Sequence, residues 1–289
     1  MAKPGRTKTN YRQLWNDSVA KAKYIALSPW RLFKFVCFSV GLTVILLFAG
    51  VGTGAYFFLE GIPHIENYGF SQYQEAATQK VLKRLPKGKK NLTWVPFEKI
   101  NRDLAYAIVM SEDAQFFDHD GINYDAILRA MAQNWKNKKI VSGASTITQQ
   151  VVKNLFLQSN RSLLRKVEEA ILSERMESGL PKNKVLEIYL NMAEFGPNIY
   201  GIHAASAYYF GKAPKDIDAY EGAVLALMLP SPRRNHHRIY IKQNLSAKRV
   251  QKIKRILRSM LWAEFISPEE YKKHLRRKNP FPKRATASQ

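Results

Sequence analysis

From about residue 100 onward, apolar residues recur every three to four positions, the spacing of one face of an α-helix. Residues 101–112 place Leu104, Ala107, Ile108 and Ser111 on such a face. Residues 123–135 repeat the pattern with Ala126, Ile127, Ala130 and Met131. Residues 145–157 open on Thr146-Ile147-Thr148-Gln149, which matches a capping box ahead of an apolar run. Residues 162–177 align Leu164, Val167, Ala170, Ile171 and Glu174 on one face. Residues 182–191, 202–209, 219–229 and 246–265 are predicted to be further helices, punctuated by Pro181, Pro197, Pro214 and Pro230. Period-two alternation is scarce, and neither an internal repeat nor a low-complexity segment is present. The pattern predicts a mainly α fold.

One stretch breaks the amphipathic rhythm. Phe35–Leu59 holds no charged residue and has no polar face. Its length exceeds the roughly 20 residues that a membrane-spanning helix needs. Glycines 41, 50, 52 and 54 suit a membrane helix better than a soluble one. A cleaved signal peptide fits poorly, because the run is too long and starts too late. Lys3, Arg6, Lys8, Arg12, Lys21, Lys23, Arg31 and Lys34 precede it, whereas Glu60 and Glu66 follow. The excess of positive charge before the span predicts a cytoplasmic N-terminus and an extracytoplasmic body. The chain then divides into a basic tail (1–34), a transmembrane helix (35–59), a juxtamembrane connection (60–93), a main domain (94–235) and a basic helical extension (236–289).

Charge sharpens that division. The chain of 289 residues carries a formal net charge of +23. Residues 60–232 are nearly balanced, while residues 233–289 hold 17 Lys and Arg against 3 acidic residues. Such a map fits either a nucleic-acid protein or one pressed against anionic lipid. The extracytoplasmic placement favours lipid and disfavours nucleic acid. The default reading of the basic tail is a solvated helix face. A single cysteine, Cys37, excludes an intramolecular disulfide framework and any zinc site built on two or more thiolates. The six histidines form no metal-ligand pattern, so no residue cluster marks a dedicated metal site.

Three clusters could carry chemistry, and each also has an ordinary reading. Glu112 follows Ile108 by four residues, so it projects from a face shared with apolar residues near the expected helix end. Burial and the negative end of the helix dipole would both raise its pKa, as suits a general base near neutral pH; local capping or pairing is the alternative. In Gly143–Gln150 a small, hydroxyl-rich loop feeds a helix and offers N–H groups to an anion, with Lys153 and Arg161 nearby; a capped helix with a solvated polar face is the alternative. Glu169 falls opposite the Val167 stripe, beside Arg165, Leu172 and Met176. An i, i+4 pair with Arg165 accounts for it, and so does a helix that faces a cleft.

The order of these clusters resembles the glycosyltransferase family 51 domain of peptidoglycan synthesis. The first motif is Glu112-Asp113-x-x-Phe116-x-x-His119-x-Gly121. The second is Gly143-x-Ser145-Thr146-Ile147-Thr148-Gln149-Gln150, and the third Arg165-Lys166-x-x-Glu169. Lys182-x-x-Val185-Leu186-Glu187-x-Tyr189-Leu190-Asn191 matches the fourth, with Val185 where Ile is usual, and Ala223–Pro230 resembles the apolar fifth. The resemblance spans about residues 94–235.

It implies a lysozyme-like, mainly helical fold with a cleft open towards the membrane, and a membrane-bound enzyme that polymerises lipid II. Glu112 matches the general base that takes the proton of the acceptor GlcNAc 4-hydroxyl. That oxygen attacks the anomeric carbon of the lipid-linked chain, forming a β-1,4 bond with inversion and releasing undecaprenyl pyrophosphate. Glu169 matches a second essential carboxylate on the leaving-group side. Lys153 and Arg161 match pyrophosphate contacts, and Ser145, Thr146, Gln149 and Gln150 match cleft-lining positions. No permanently bound cofactor is implied; a divalent cation, Mg or Mn, is expected only with the pyrophosphate substrate. Lipid II, undecaprenyl-linked glycan, membrane lipids and other wall-synthesis proteins are the implied partners, in the bacterial inner membrane. A chain ending at Gln289 is too short for a penicillin-binding transpeptidase domain, so a monofunctional enzyme is expected. A lysozyme-like lytic enzyme and a non-catalytic membrane scaffold are the rival readings.

Overall fold

The computed structural model describes residues 12–13, 15–19, 29–88, 91–139, 143–157, 162–243, 245–277 and 280–281. The chain forms two units, residues 1–62 and 63–289. In the first, helix α1 (Pro29–Glu60) runs for 32 residues. At 1.5 Å per residue that is about 48 Å, longer than the roughly 30 Å of a bilayer core. No residue of α1 is buried. The helix begins six residues before the uncharged run, because charge at a helix end does not stop backbone hydrogen bonding. Its first turns carry Trp30 stacked on Phe33, with the Lys34 ammonium 5.3 Å from the Trp30 ring centre. Aromatic and long cationic side chains of this kind suit a membrane–water boundary.

The second unit is almost wholly helical. Its helices are α2 (Phe70–Arg84), α3 (Arg102–Glu112), α4 (Tyr124–Asn137), α5 (Ile147–Phe156), α6 (Leu163–Gly179) and α7 (Lys182–Met192). A small antiparallel hairpin follows, β1 (Glu194–Gly196) and β2 (Ile199–Tyr200), with Glu194 opposite Tyr200. Then come α8 (Gly201–Phe210), α9 (Ala219–Met228), the short α10 (Pro232–Asn235) with a π-helical turn at His236–Ile241, α11 (Ala247–Trp262) and α12 (Pro268–Leu275). Capping boxes start α5 at Thr146/Gln149, α9 at Asp218/Glu221 and α12 at Ser267/Glu270.

At the centre lies α9, all ten residues of which are buried. It packs against α3 on one side and α11 on another. Gly222 permits the close approach to α3: a Cβ there would lie 2.9 Å from the Leu104 Cα and 3.0 Å from the Ala107 Cβ. α11 turns Ile253, Ile256, Leu257 and Met260 inward.

Three segments depart from expectation. Residues 70–84, expected within a connection, form α2, which buries Tyr73, Ala77 and Val81 at four-residue spacing in an otherwise polar sequence. The Tyr73 hydroxyl donates to the Ile65 carbonyl at 2.6 Å. On α6 the predicted face is reversed. Glu169, Leu172, Ser173 and Met176 are buried, while Leu164, Val167 and Glu174 are exposed. On α4 only Ala130 is buried, and Tyr124, Leu128, Met131 and Trp135 stand exposed. Periodicity finds an apolar face but does not say whether protein covers it.

Replacing Gly222 by Ala should force α9 and α3 apart at a backbone contact. Denaturant unfolding of the detergent-solubilised chain should then show a loss of about 1–3 kcal/mol. Gly41→Ala, where nothing lies within 4 Å, should change little. Equal midpoints for Gly222→Ala and wild type would contradict tight packing at this contact.

Candidate active site

Helix α3 starts at Asn101, whose side chain accepts from the Asp103 N–H, and buries Leu104, Ala105, Ala107, Ile108 and Val109. Glu112 is its last residue. The buried stripe therefore delivers a carboxylate to the C-terminal end of a core helix. Asp113 leaves the helix at φ −158° and turns the other way. It accepts from His119 Nε2 at 3.1 Å and from the Ile147 N–H at 3.0 Å. Asp113 thus ties the end of α3 to the positive N-terminus of α5.

Further polar ties fix the loops around Glu112. The Thr146 hydroxyl donates to the Gly121 carbonyl at 2.7 Å, and the Gly121 N–H donates to Glu177 at 2.7 Å. Glu177 is also paired with Lys182 at 2.6 Å and accepts from the Thr148 hydroxyl.

Glu112 itself is half-buried, and its carboxylate accepts from Gln150 Nε2 at 3.3 Å. Burial raises its pKa; the Lys252 charge and the Gln150 hydrogen bond oppose that rise, and Asp113 adds to it. Gln150 in turn receives the Tyr189 hydroxyl at 3.4 Å. Burial, and then the Glu112 charge, hold Tyr189 far above the ordinary phenol range, so it stays a proton donor. Asp103 is raised too, by burial and by Glu270. It lies in the first turn of α3, a helix length away from these groups.

Two cavities of about 190 Å³ each involve these residues. One is lined by Glu112, Gln115, Arg129, Gly143, Ser145 and Thr146. The other is lined by Arg84, Gln150, Lys153, Tyr189, Glu194 and Pro232. Gln149 lines neither; it is buried, and its side chain closes the capping box on the Thr146 N–H. The Thr146 hydroxyl is likewise used within the fold.

Glu169 is 2% exposed and pairs with Arg165 at 2.9 Å and with Lys166. Lys166 also reaches the Ser145 hydroxyl at 3.3 Å. Lys153 belongs to the same electrostatic group. Desolvation lowers its pKa, Glu169 raises it, and Lys166 and Arg165 lower it. Three cations thus share one carboxylate, and the buried Arg165 Nε has no hydrogen-bond partner among the described residues. The balance is positive, with a donor to spare, as an anion site requires. Arg161 lies outside the described residues. Among the described residues no three His, Cys, Asp or Glu converge as a metal site.

The structure therefore joins Glu112, Ser145 and Thr146 around one cavity, Gln150 and Lys153 around the other, and Lys153 with Glu169 through the cation cluster. Sequence reasoning missed Arg129 and Arg84, which line these cavities. Arg129 sits on a helix notable for its exposed apolar residues, and Arg84 in a segment expected to be a connection. No periodic signal marks either.

A family model described as Transglycosylase matches residues 78–261. That segment extends beyond 94–235 at both ends and takes in all of α11 but its last residue. A biosynthetic peptidoglycan transglycosylase of Janthinobacterium sp. (strain Marseille) is 40% identical over 179 residues, covering 62% of this chain and 78% of the relative. One from Bordetella avium is 45% identical over 152 residues, 51% of this chain and 63% of the relative. One from Aeromonas hydrophila is 48% identical over 141 residues, 49% and 60% respectively.

The raised pKa of Glu112 carries a stability signature. Between the unfolded and folded pKa values the folded state holds the extra proton, so ionising Glu112 at higher pH costs stability. Glu112→Gln should melt above wild type at neutral pH, and the gain should vanish below the unfolded pKa, where the carboxyl is neutral in both states. A variant that melts below wild type at neutral pH would mean that the ionised carboxylate stabilises the fold.

Proposed function

The chain belongs to the transglycosylase family and acts in peptidoglycan synthesis, and on that premise we propose that it polymerises lipid II into glycan chains. Its mainly helical, lysozyme-like domain follows an apolar helix long enough to anchor it in a membrane. The observation that carries the finer reading is the pairing of two environments. One is a half-buried carboxylate of raised proton affinity, and the other a positively balanced cluster whose Arg165 Nε has no partner among the described residues.

In this reading Glu112 takes the proton of the acceptor GlcNAc 4-hydroxyl. The oxygen forms its bond to the anomeric carbon of the lipid-linked chain from the face opposite the α-linked pyrophosphate. The carbon–oxygen bond to pyrophosphate breaks, and its electron pair leaves with undecaprenyl pyrophosphate. The product bond is β-1,4 and the centre is inverted. A pyrophosphate departs without a proton at neutral pH but needs positive charge and N–H donors. Lys153, Arg165 and Lys166 supply the charge, with Arg161 assigned to the same role. Glu169, held between Arg165 and Lys166, fixes their positions. Ser145, Thr146 and Gln150 line the cleft, and Gln149 supports it through the helix cap. A divalent cation, Mg or Mn, would assist through the pyrophosphate.

The enzyme works at the outer face of the bacterial inner membrane with its N-terminus in the cytoplasm, and the lipid-linked substrates account for the anchor. A lytic enzyme would have no use for the cation cluster, since hydrolysis of mature glycan releases no pyrophosphate.

The purified, detergent-solubilised protein should convert lipid II to long glycan that lysozyme then digests. Absence of polymer across detergents and divalent cations, or release of fragments from mature peptidoglycan instead, would overturn the reading. Lys153→Ala should cut kcat/KM for lipid II by about tenfold or more, the value of a charged hydrogen bond, with an unchanged melting temperature. Unchanged kinetics with a large loss of melting temperature would make Lys153 structural.

A further inference from the structure

The basic C-terminal extension has no role in the mechanism above, yet it builds a cavity of its own. About 280 Å³ of space lies between α11, α12 and the first turn of α9. This cavity shares no lining residue with the two beside Glu112. Three of its residues, His274, Leu275 and Arg277, lie beyond the segment 78–261 that the family model matches. Val250, Ile253 and Leu257 of α11 and Leu275 of α12 form its apolar walls. Ile253 and Leu257 are buried, and Leu275 is exposed. The volume falls at the lower end of small-molecule sites, which start at about 300 Å³. Left empty, such a space deprives its walls of packing contacts.

Polar groups interrupt the apolar walls, and their partners decide what the cavity can hold. His274 lines it and is 6% exposed. Burial lowers its pKa, so at neutral pH the ring is uncharged and carries one N–H. Its buried Nδ1 has no hydrogen-bond partner among the described residues, and neither has Nε2. An N–H taken out of water without an acceptor is costly. Lys254 also lines the cavity, is half-buried, and makes no ion pair with a described carboxylate. Arg277, by contrast, is already engaged. Its Nη1 donates to Asp218 at 2.5 Å and its Nη2 to Glu221 at 3.0 Å, and its guanidinium lies 4.9 Å from the Tyr220 ring centre. Glu221 is held by Lys212 as well. Two carboxylates are thus matched by two cations, and Lys254 is left over. On α12, Glu270 and Lys273 act on His274 in opposite directions.

We propose that this cavity binds a small amphiphilic anion, an alkyl carboxylate of medium chain length, with its chain against Val250, Ile253, Leu257 and Leu275 and its carboxylate on the Lys254 ammonium and the His274 N–H. A carboxylate supplies both the acceptor that His274 lacks and the charge that Lys254 lacks, through charge-assisted hydrogen bonds. A neutral chain would leave Lys254 unmatched, and a cationic one would meet Lys254 and Arg277. A bare inorganic anion would leave the apolar walls unfilled. The volume suits one short chain and is too small for a two-chain lipid. A bound ligand would bridge α11, α12 and α9, so binding should stabilise the domain. The proposal does not depend on the assignment of Glu112 as the base.

Octanoate tests the proposal on the full-length protein in phosphatidylcholine nanodiscs, with empty discs as the blank. Carbon-13 NMR of carboxyl-labelled octanoate measures binding, and thermal unfolding reads its consequence. Octanoate should bind saturably, one per chain, and raise the melting temperature by about 2–5 °C at ten times its Kd. Octanol and octylammonium should each bind at least tenfold more weakly. Lys254→Gln should weaken octanoate binding by about tenfold or more, the value of a charged hydrogen bond, and Lys254→Arg should restore it. Val250→Phe, which fills the cavity from α11, should abolish binding. Arg255→Gln, on the exposed side of the same helix, should leave it unchanged. If Val250→Phe does not fold, Leu275→Trp blocks the cavity from an exposed position, with the same expectation.

Absence of saturable binding up to about 10 mM octanoate, where any specific site of useful affinity would be filled, would overturn the proposal. So would octanol or octylammonium binding as well as octanoate, since the site would then not select a carboxylate. Binding that survives both Lys254→Gln and the cavity-filling variant would place the ligand elsewhere on the molecule and overturn the proposal equally.

Discussion

A carboxylate partly removed from water, with no contact cation among the described residues, is the constraint around which this domain is organised. Ionising such a group is costly, and only a rigid surround can hold it there. Helix α3 places Glu112 at its end because five of its residues are locked into the core. The wholly buried α9 keeps α3 in place, and the Asp113 tie to Ile147 fixes the turn that follows. Each of these features serves the fold, and together they leave one carboxyl group raised in proton affinity at the edge of a cavity.

The other buried carboxylates show what ordinary compensation looks like. Glu187 receives the Trp94 indole, the Phe97 N–H and Lys184. Glu221 is held by Lys212 and Arg277, and Glu177 by Lys182, Gly121 and Thr148. These groups cross-link helices, and the partners of Glu221 come from opposite ends of a long stretch of chain. Glu169 is compensated as well, but its partners are in excess, and the surplus charge is what an anionic leaving group would meet. Under the proposed function, proton acceptance and anion stabilisation fall to separate groups, so neither cancels the other.

Much of this was legible in the sequence, because helix rhythm and capping chemistry are local. The capping box at Thr146 and Gln149, the buried face of α3 and the uncharged run of α1 can each be read from neighbouring residues. What was not legible depends on what covers a surface. The stripe of Leu164 and Val167 has core periodicity, yet the structure exposes it and buries the face with Glu169, Leu172 and Met176. The mixed neighbourhood of Glu169 was the clue to that reversal. Helix α2 escaped notice because three buried residues, Tyr73, Ala77 and Val81, are too few to stand out among polar ones. Arg161, matched by motif, falls outside the described residues.

The central claim is that Glu112 moves a proton rather than holding substrate. The most direct test compares binding and bond formation in Glu112→Gln at neutral pH. Single-turnover quench experiments with lipid-linked glycan and lipid II should show near wild-type affinity for both and a rate of glycosidic bond formation lower by about 10²- to 10⁴-fold, the usual contribution of a general base. Bond formation at the wild-type rate would contradict the account, as would a rate loss explained entirely by weaker binding.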